Sequence, residues 1–477
     1  MHKLLAFPAA VALLACVQPA ASATAAAPGE LPEPSDLTYG VYLNGGKVGW
    51  MRTTTTVGVT VEMGIEMHAQ VGGMGQVSSI DIEEHRTYGG TAAVLQSLSF
   101  SQKAATGVVA IEGKREGGEL ALTVSAGGGT SHERAAVNES LHDALSLTRL
   151  AKAGKVGATA VSHHFDPSLQ KSLEVREKVA AEETRMLAGV PTRTVRVEAT
   201  YPELGITETS WLDGAGKVLE TQVGGFFVAR LEPPDVAKKL DFQQDLLAAA
   251  VVKTPHPIAH PADLEHLSVG FTGFGDLTPP SSPRQKVEKK GETTLVSLTR
   301  DPALPRVAVG GMALPADVKA ETAPTPFIQS DAPAIQAAAR QAAGGATLLP
   351  EVVAKLTVWV FDHVRDEYVP AYSNALEALE SGRGDCTEHS VLFVGLARAL
   401  GIPARVAVGI AYWPPGGGFG WHAWAEVWAD GRWYAVDPTW NQVIADATHV
   451  KLAGGGPAEQ ARIVMLLGRL KVADIGG

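Results

Sequence analysis

Cysteine is almost missing from this 477-residue chain, which holds only Cys16 and Cys386. Two thiols cannot build a disulfide framework or a four-thiolate metal site. Basic charge is also in short supply: 40 Lys and Arg stand against 51 Asp and Glu, for a formal net charge of −11. With no long basic block, sequence-independent nucleic-acid binding is excluded, because it needs clustered cations to displace phosphate counterions. Beyond the N-terminus no apolar run approaches the roughly 20 residues of a spanning helix, which excludes a multispanning membrane protein. No D-x-D-x-D-G loop is visible, so no calcium requirement is expected, and no internal repeat of fixed period is evident. What remains is a composition of 45% hydrophobic and 19% charged residues, with 51 glycines and 29 prolines. That is an ordinary globular protein, long enough for two to four domains of about 100 to 200 residues each.

Residues 1–30 read as a targeting segment, with a short basic start (His2, Lys3), an apolar stretch from Leu4 to Ala15, and then small residues. Two cleavage readings compete. Leu13-Leu14-Ala15-Cys16 resembles the bacterial lipobox, which would attach the protein to a membrane through a lipidated Cys16 with Val17 to Pro34 as a tether; Ala21-Ser22-Ala23 fits ordinary signal peptidase. Both place the mature protein outside the cytoplasm, in the periplasm or cell envelope. Both leave Cys386 as the one unmodified thiol.

The expected fold class is α+β: an antiparallel β-rich N-terminal part followed by a segment of different texture. The expected divisions are 1–30 (signal peptide and tether), 36–235 (β-rich), 240–313 (small mixed or β region) and 327–477 (the chemistry-bearing domain). Gly40 to Leu43, the turn Asn44-Gly45-Gly46 and Lys47 to Met51 form one hairpin pattern. Thr207 to Leu212, Asp213-Gly214-Ala215-Gly216 and Lys217 to Val223 form another. In Thr192 to Ala199, Val195 and Val197 face one way while Thr194, Arg196 and Glu198 face the other. Such a sheet serves either as a curved half-barrel that cups a ligand or as a spacer or docking unit. The plainer spacer reading is preferred, since no titratable cluster here looks catalytic. Asp241 to Val252 reads as helical. His266 to Val309 reads as β-like, interrupted by Pro279-Pro280 and the mixed-charge stretch Arg284 to Glu292, and Leu314 to Pro326 as a linker.

Seven of the nine tryptophans (Trp359, Trp413, Trp421, Trp424, Trp428, Trp433, Trp440) lie between 359 and 440, which locates the densest core. There Gly382-Arg383-Gly384-Asp385-Cys386-Thr387-Glu388-His389 precedes the apolar run Val391 to Leu400. Asp385 and Glu388 have capping-box spacing, Gly401 is a C-terminal cap, and Pro403 blocks continuation. Cys386 thus falls in the first turn of a helix, where unpaired N–H groups and the macrodipole favour thiolate over thiol. The helix is apolar almost all round, which implies burial. A small core-filling cysteine is the plainer alternative.

Arg405 to Trp413 reads as a strand, Pro414 to Gly420 as a Gly-rich loop and Trp421 to Ala429 as a second strand. Asp430-Gly431 then turns the chain into Arg432 to Asp437. That turn sets Ala429 opposite Arg432, Trp428 opposite Trp433 and Trp424 opposite Asp437. His422 and Asp437 become diagonal neighbours on one face, roughly 7 to 8 Å apart in the backbone. A carboxylate held against one imidazole nitrogen fixes the tautomer and leaves the other to face a thiol.

Gly384-Asp385-Cys386, Ala399 to Arg405, His422-Ala423-Trp424-Ala425-Glu426-Val427, Trp433 and Val436-Asp437-Pro438-Thr439 resemble the core of the transglutaminase-like superfamily, over about residues 330 to 455. The resemblance implies a papain-like α+β core with a catalytic triad of Cys386 (nucleophile), His422 (base and acid) and Asp437 (orienter). Asp446-Ala447-Thr448-His449 resembles the tail of bacterial members and is given no chemical step. The implied activity is acyl transfer from protein or peptide amides through a Cys386 thioester. Water as acceptor makes an amidase or protease, and a lysine amine makes a crosslinking transglutaminase. No cofactor is implied.

Three alternatives stand beside this one. His389, three residues after Cys386, is a second possible base or, with Cys386 and His422, part of a zinc site. His363 and His449 read as structural or surface histidines, and Trp421 and Trp424 as walls of an acyl cleft. Asn138-Glu139-Ser140 matches a glycosylation sequon of little weight behind a bacterial-looking leader. Finally, the whole chain could be a non-catalytic envelope scaffold or ligand-binding protein with a vestigial triad.

Overall fold

Apolar and polar residues alternating at period two carry the N-terminal half into strands. In Lys171 to Val179, Leu173, Val175, Glu177 and Val179 are buried and the residues between them are not. The computed structural model describes residues 31–477 except 44, 74–75, 90–92, 105–106, 127–128, 188, 224–226, 241–250, 276, 312–313, 326, 368–373, 455–462, 464–465 and 477. The leader with Cys16, most of the Asp241 to Val252 segment, and Asn44 of the first turn therefore lie outside the described residues. The chain divides into two compact units, one from Ala10–Val71 and Val77–Gln244, the other chiefly Asp245–Gly477.

Among the described residues the first unit holds a fourteen-stranded antiparallel sheet. Strands follow one another as neighbours, except that the first, Ser35–Leu43, also pairs with the last, Phe227–Leu231. The sheet edges are therefore Gly129–Ala136 and Thr159–Asp166, joined in sequence by the helices Leu141–Ala144 and Ser146–Ala153. Both expected hairpins are present, and Asp213 Oδ1 stabilises the second turn by accepting from the N–H groups of Ala215 and Lys217, each at 2.9 Å. Thr194 departs from the alternation. It is buried, with its hydroxyl donating to the Glu183 carbonyl at 3.1 Å.

The inner face carries a polar cluster that local sequence patterns do not reveal, because its members come from distant strands. Arg86 pairs with Glu84 and, at 2.5 Å, with Glu139, and donates to the Phe165 carbonyl at 2.7 Å; Tyr88 donates to Glu139 as well. Burial raises the carboxyls of Glu177 and Glu208 to about 7 and about 8. A cavity of about 60 Å³ is lined by Met63, Glu84, Arg86, Leu147, Glu177 and Tyr201 among others. Glu139 of the sequon is wholly buried and Ser140 caps the following helix, so that tripeptide is a structural element.

In the second unit the helices α1 (Pro333–Ala343), α2 (Leu349–His363), α3 (Ala375–Ser381) and α4 (Cys386–Ala399) precede the strands β1 (Ala404–Trp413), β2 (Gly418–Ala429), β3 (Arg432–Val436) and β4 (Val450–Gly454). Helix α4 packs against the other three helices and against β1 and β2, and its residues from Cys386 to Arg398 are all buried. Burying Leu392, Phe393, Val394 and Leu396 contributes roughly 1.5–3 kcal/mol each. The sheet runs Val252–Lys253, β2, β1, β4, with β3 also paired to β2. β2 starts earlier than the glycines suggest, at Gly418, because a side chain there would lie 2.4 Å from the Val252 carbonyl oxygen.

A second sheet in this unit has the order Gln285–Lys290, Thr293–Thr299, His266–Thr272, Lys471–Gly476. The mixed-charge stretch is thus not an interruption but an edge strand, with Gln285 buried and Glu288, Lys289 and Lys290 exposed, as edges that resist pairing commonly are.

Candidate active site

Cys386 owes its position to two local devices. Asp385 caps α4: its Oδ1 accepts from Thr387 N–H at 2.8 Å, and Glu388 Oε2 accepts from Asp385 N–H at 2.7 Å, completing the capping box. Burial, and next the charge of Asp385, push the Glu388 carboxyl well above its ordinary range. Gly384, at φ +156°, lets this happen, because a Cβ there would sit 2.2 Å from that of Glu388. The Cys386 carbonyl accepts from Ser390 Oγ at 2.6 Å, and Cys386 is fully buried.

His422 lies in β2 opposite Gly409 of β1. A side chain on Gly409 would strike the Val450 carbonyl oxygen at 2.0 Å and the Trp424 ring at 3.1 Å, so glycine here lets β4 and that ring close over the histidine. Trp440 stacks on the imidazole at 4.5 Å and 15°, Trp424 at 6.2 Å and 27°. The sequence points to Trp421 and Trp424 as walls of an acyl cleft and gives no role to Trp440, which arrives through the turn after Asp437.

The hairpin register matches the expected one, from Ala429 opposite Arg432 to Ala425 opposite Val436. Asp437 follows directly and is bridged to Gln442 by two backbone hydrogen bonds of 2.8 Å. Its Oδ1 accepts from the N–H groups of Thr439 (2.8 Å) and Trp440 (3.2 Å), and its Oδ2 lies 3.0 Å from His422 Nε2. His422 Nδ1 is buried without a hydrogen-bond partner among the described residues. Burial pushes the pKa of His422 down, outweighing Asp437. Asp437 itself, despite burial, is held well below the usual carboxylate range by His422 and His449. A neutral His422 that donates from Nε2 keeps a lone pair on Nδ1.

His449 is not a surface residue. It is fully buried, with Nε2 3.2 Å from Asp437 Oδ2 and Nδ1 3.2 Å from Asp446 Oδ1. The signal that could have found it is the Asp446-x-Thr448-His449 turn, in which Asp446 Oδ1 also accepts from Thr448 N–H and Oγ1. His389, the other base considered, has its Nδ1 at 2.6 Å from the Asp385 carbonyl oxygen. His363 stacks on Trp359 and bonds the Leu379 carbonyl.

Among the described residues the acid and imidazole groups that converge are His422, Asp437 and His449, rather than the suggested zinc set of Cys386, His389 and His422. The two hydrogen bonds to Asp437 Oδ2 account for that convergence. Behind the hairpin, buried Asp301 pairs with Arg432 and Arg284 and accepts from Ala435 N–H at 3.1 Å. Arg284 and Asp301 thus brace the strand that leads into Asp437.

Residues 335–438 match the family model of the transglutaminase-like superfamily. No curated protein matches the chain. Among solved structures the chain is similar to a candidate cysteine protease from Cytophaga hutchinsonii (18% identity, 44% of this chain and 87% of that one, TM-score 0.32). It is also similar to the periplasmic domain of TgpA from Pseudomonas aeruginosa bound to ethylmercury (19%, 39% and 70%, TM-score 0.24). A third is a beta-barrel-like protein of a domain of unknown function from Brucella abortus (12%, 42% and 95%, TM-score 0.31).

Proposed function

We propose, taking residues 335–438 as transglutaminase-like, that this protein is a cysteine-dependent acyl-transfer enzyme acting on protein or peptide amides. One observation carries the reading: Asp437 holds His422 by Nε2 and leaves Nδ1 buried and unpartnered, on a strand against which the Cys386 helix packs. The Cys386 thiol proton passes to His422 Nδ1, and the thiolate attacks the amide carbonyl carbon. The C–N bond breaks, His422 returns the proton to the departing amine, and a thioester remains on Cys386. Backbone N–H of Cys386 is the proposed oxyanion donor. Water then gives hydrolysis; a lysine amine gives crosslinking. Cys386 and His422 have no exposed surface, so substrate entry requires the site to open.

The working place proposed is the cell envelope. No helix among the described residues is long and apolar enough to cross a membrane. Mass spectrometry of the mature N-terminus decides the anchor: lipid on Cys16 supports tethering, and a free Thr24 supports simple secretion.

Trapping the acyl-enzyme from an envelope extract tests the chemistry. An adduct on Cys386 that is lost in Cys386→Ala is expected; turnover retained by that variant overturns the assignment. The complete burial of Cys386 also suits a scaffold with a vestigial triad. Iodoacetamide labelling separates the two: reaction only near the pH of a free thiol, unchanged by His422→Ala, favours the scaffold.

A further inference from the structure

We infer that His449, which lies beyond the family match, is a positioning residue: anchored by Asp446, it shares one oxygen of Asp437 with His422 and so governs how strongly that carboxylate holds the His422 proton. This rests on the reading of His422 as base to Cys386.

The argument is one of donors and acceptors. A neutral imidazole has a single N–H, so it cannot donate from both nitrogens. His449 presents Nε2 to the Asp437 carboxylate at 3.2 Å and Nδ1 to both the side chain and the carbonyl of Asp446, each at 3.2 Å. Only the imidazolium satisfies both ends. His422 differs, since one of its nitrogens faces a carboxylate and the other has no hydrogen-bond partner among the described residues. The buried row therefore reads Asp446 negative, His449 positive, Asp437 negative, His422 neutral. Burial opposes a charge on His449, yet Asp446 and Asp437 raise its pKa to about 9. The next charged groups are committed elsewhere. Arg284 donates to the carbonyls of Ala445 and Asp446 and pairs with Asp301, and Glu426 is held by Arg405 and Lys451.

The consequence is electrostatic. A lone buried aspartate beside a histidine makes it a strong base that stays protonated. The His449 cation offsets that charge, so His422 rests neutral and able to take the thiol proton. Removing the cation frees Asp437 for His422 alone and raises the proton affinity of the Cys386–His422 pair.

The test is the pH dependence of Cys386 alkylation by iodoacetamide in the full chain, in the wild type, His449→Gln, His449→Phe and Asp446→Asn. At least one limb of the profile is expected to move up by about one pH unit in His449→Gln, at the lower end of what a neighbouring charge does. Asp446→Asn should move it the same way. Unmoved limbs in folded variants, with only the rate or Tm lowered, overturn the proposal and leave the base reading intact. A wild-type profile indifferent to His422→Ala defeats the base reading itself. Should the variants fail to fold, ¹⁵N shifts of the His449 ring in the wild type decide. Imidazolium near pH 7.5 supports the proposal; a neutral ring, or stoichiometric zinc in the purified protein, overturns it.

Discussion

Both carboxylate oxygens of Asp437 are fully occupied, Oδ1 by two backbone N–H groups and Oδ2 by two imidazoles. An amide keeps the shape of this group but not its four acceptor sites. Asp437→Asn is therefore expected to lower the rate of Cys386 acylation by roughly 10³- to 10⁴-fold, the scale set by a wrong histidine tautomer, with the fold retained by circular dichroism. Stability should respond too. Asp437, held low in the folded state, contributes stability present above its unfolded pKa of about 4 and lost as pH falls below it. His449, raised to about 9, contributes stability present below about pH 6.5 and lost as pH rises through 9. A wild-type Tm that declines on both flanks, and a flatter profile in Asp437→Asn, would check this.

The elements that carry the chemistry were legible because their determinants are local. The capping box of α4 is spelled by Asp385 and Glu388, and the hairpin register by Asp430-Gly431, so from local sequence Cys386 could be set at a helix tip and His422 beside Asp437, while joining the thiol to that pair rested on the family resemblance. His449 and Trp440 were missed in their roles because they reach His422 through the turns after β3, whose geometry depends on the carboxylates of Asp437 and Asp446 rather than on periodicity. The charged strand Gln285–Lys290 escaped for a related reason, since an edge strand need not alternate. Packing between elements has its own weak point at Gly409. Gly409→Ala drives a methyl group into the Val450 backbone and should cost about 3 kcal/mol or more, seen as a lowered Tm with β4 losing amide-exchange protection first.

At the scale of the whole molecule, both units bury carboxyls with no ion-pair partner among the described residues, Glu208 in the first and Glu388 in the second. Buried Glu208 accepts a hydrogen bond from Ser210 at 3.0 Å, and its folded pKa of about 8 lies above the unfolded value. Such a group takes up a proton on folding, so the stability linked to it is lost as pH rises from about 4.5 to 8. Glu208→Gln should gain Tm over the wild type progressively across that window and hold a constant advantage above it; an advantage independent of pH would contradict this. Both units also share a manner of closure. The first strand of the fourteen-stranded sheet pairs with its last, Tyr39 opposite Leu231, and His266–Thr272 pairs with the late strand Lys471–Gly476, Phe271 opposite Val472. Contacts so distant in sequence carry a large loop-closure entropy and slow folding. Neither sheet can finish assembling until its final strand has been synthesised, so a ribosome-bound chain halted before residue 471 would carry Cys386, His422 and Asp437 on a unit whose second sheet still has an open edge.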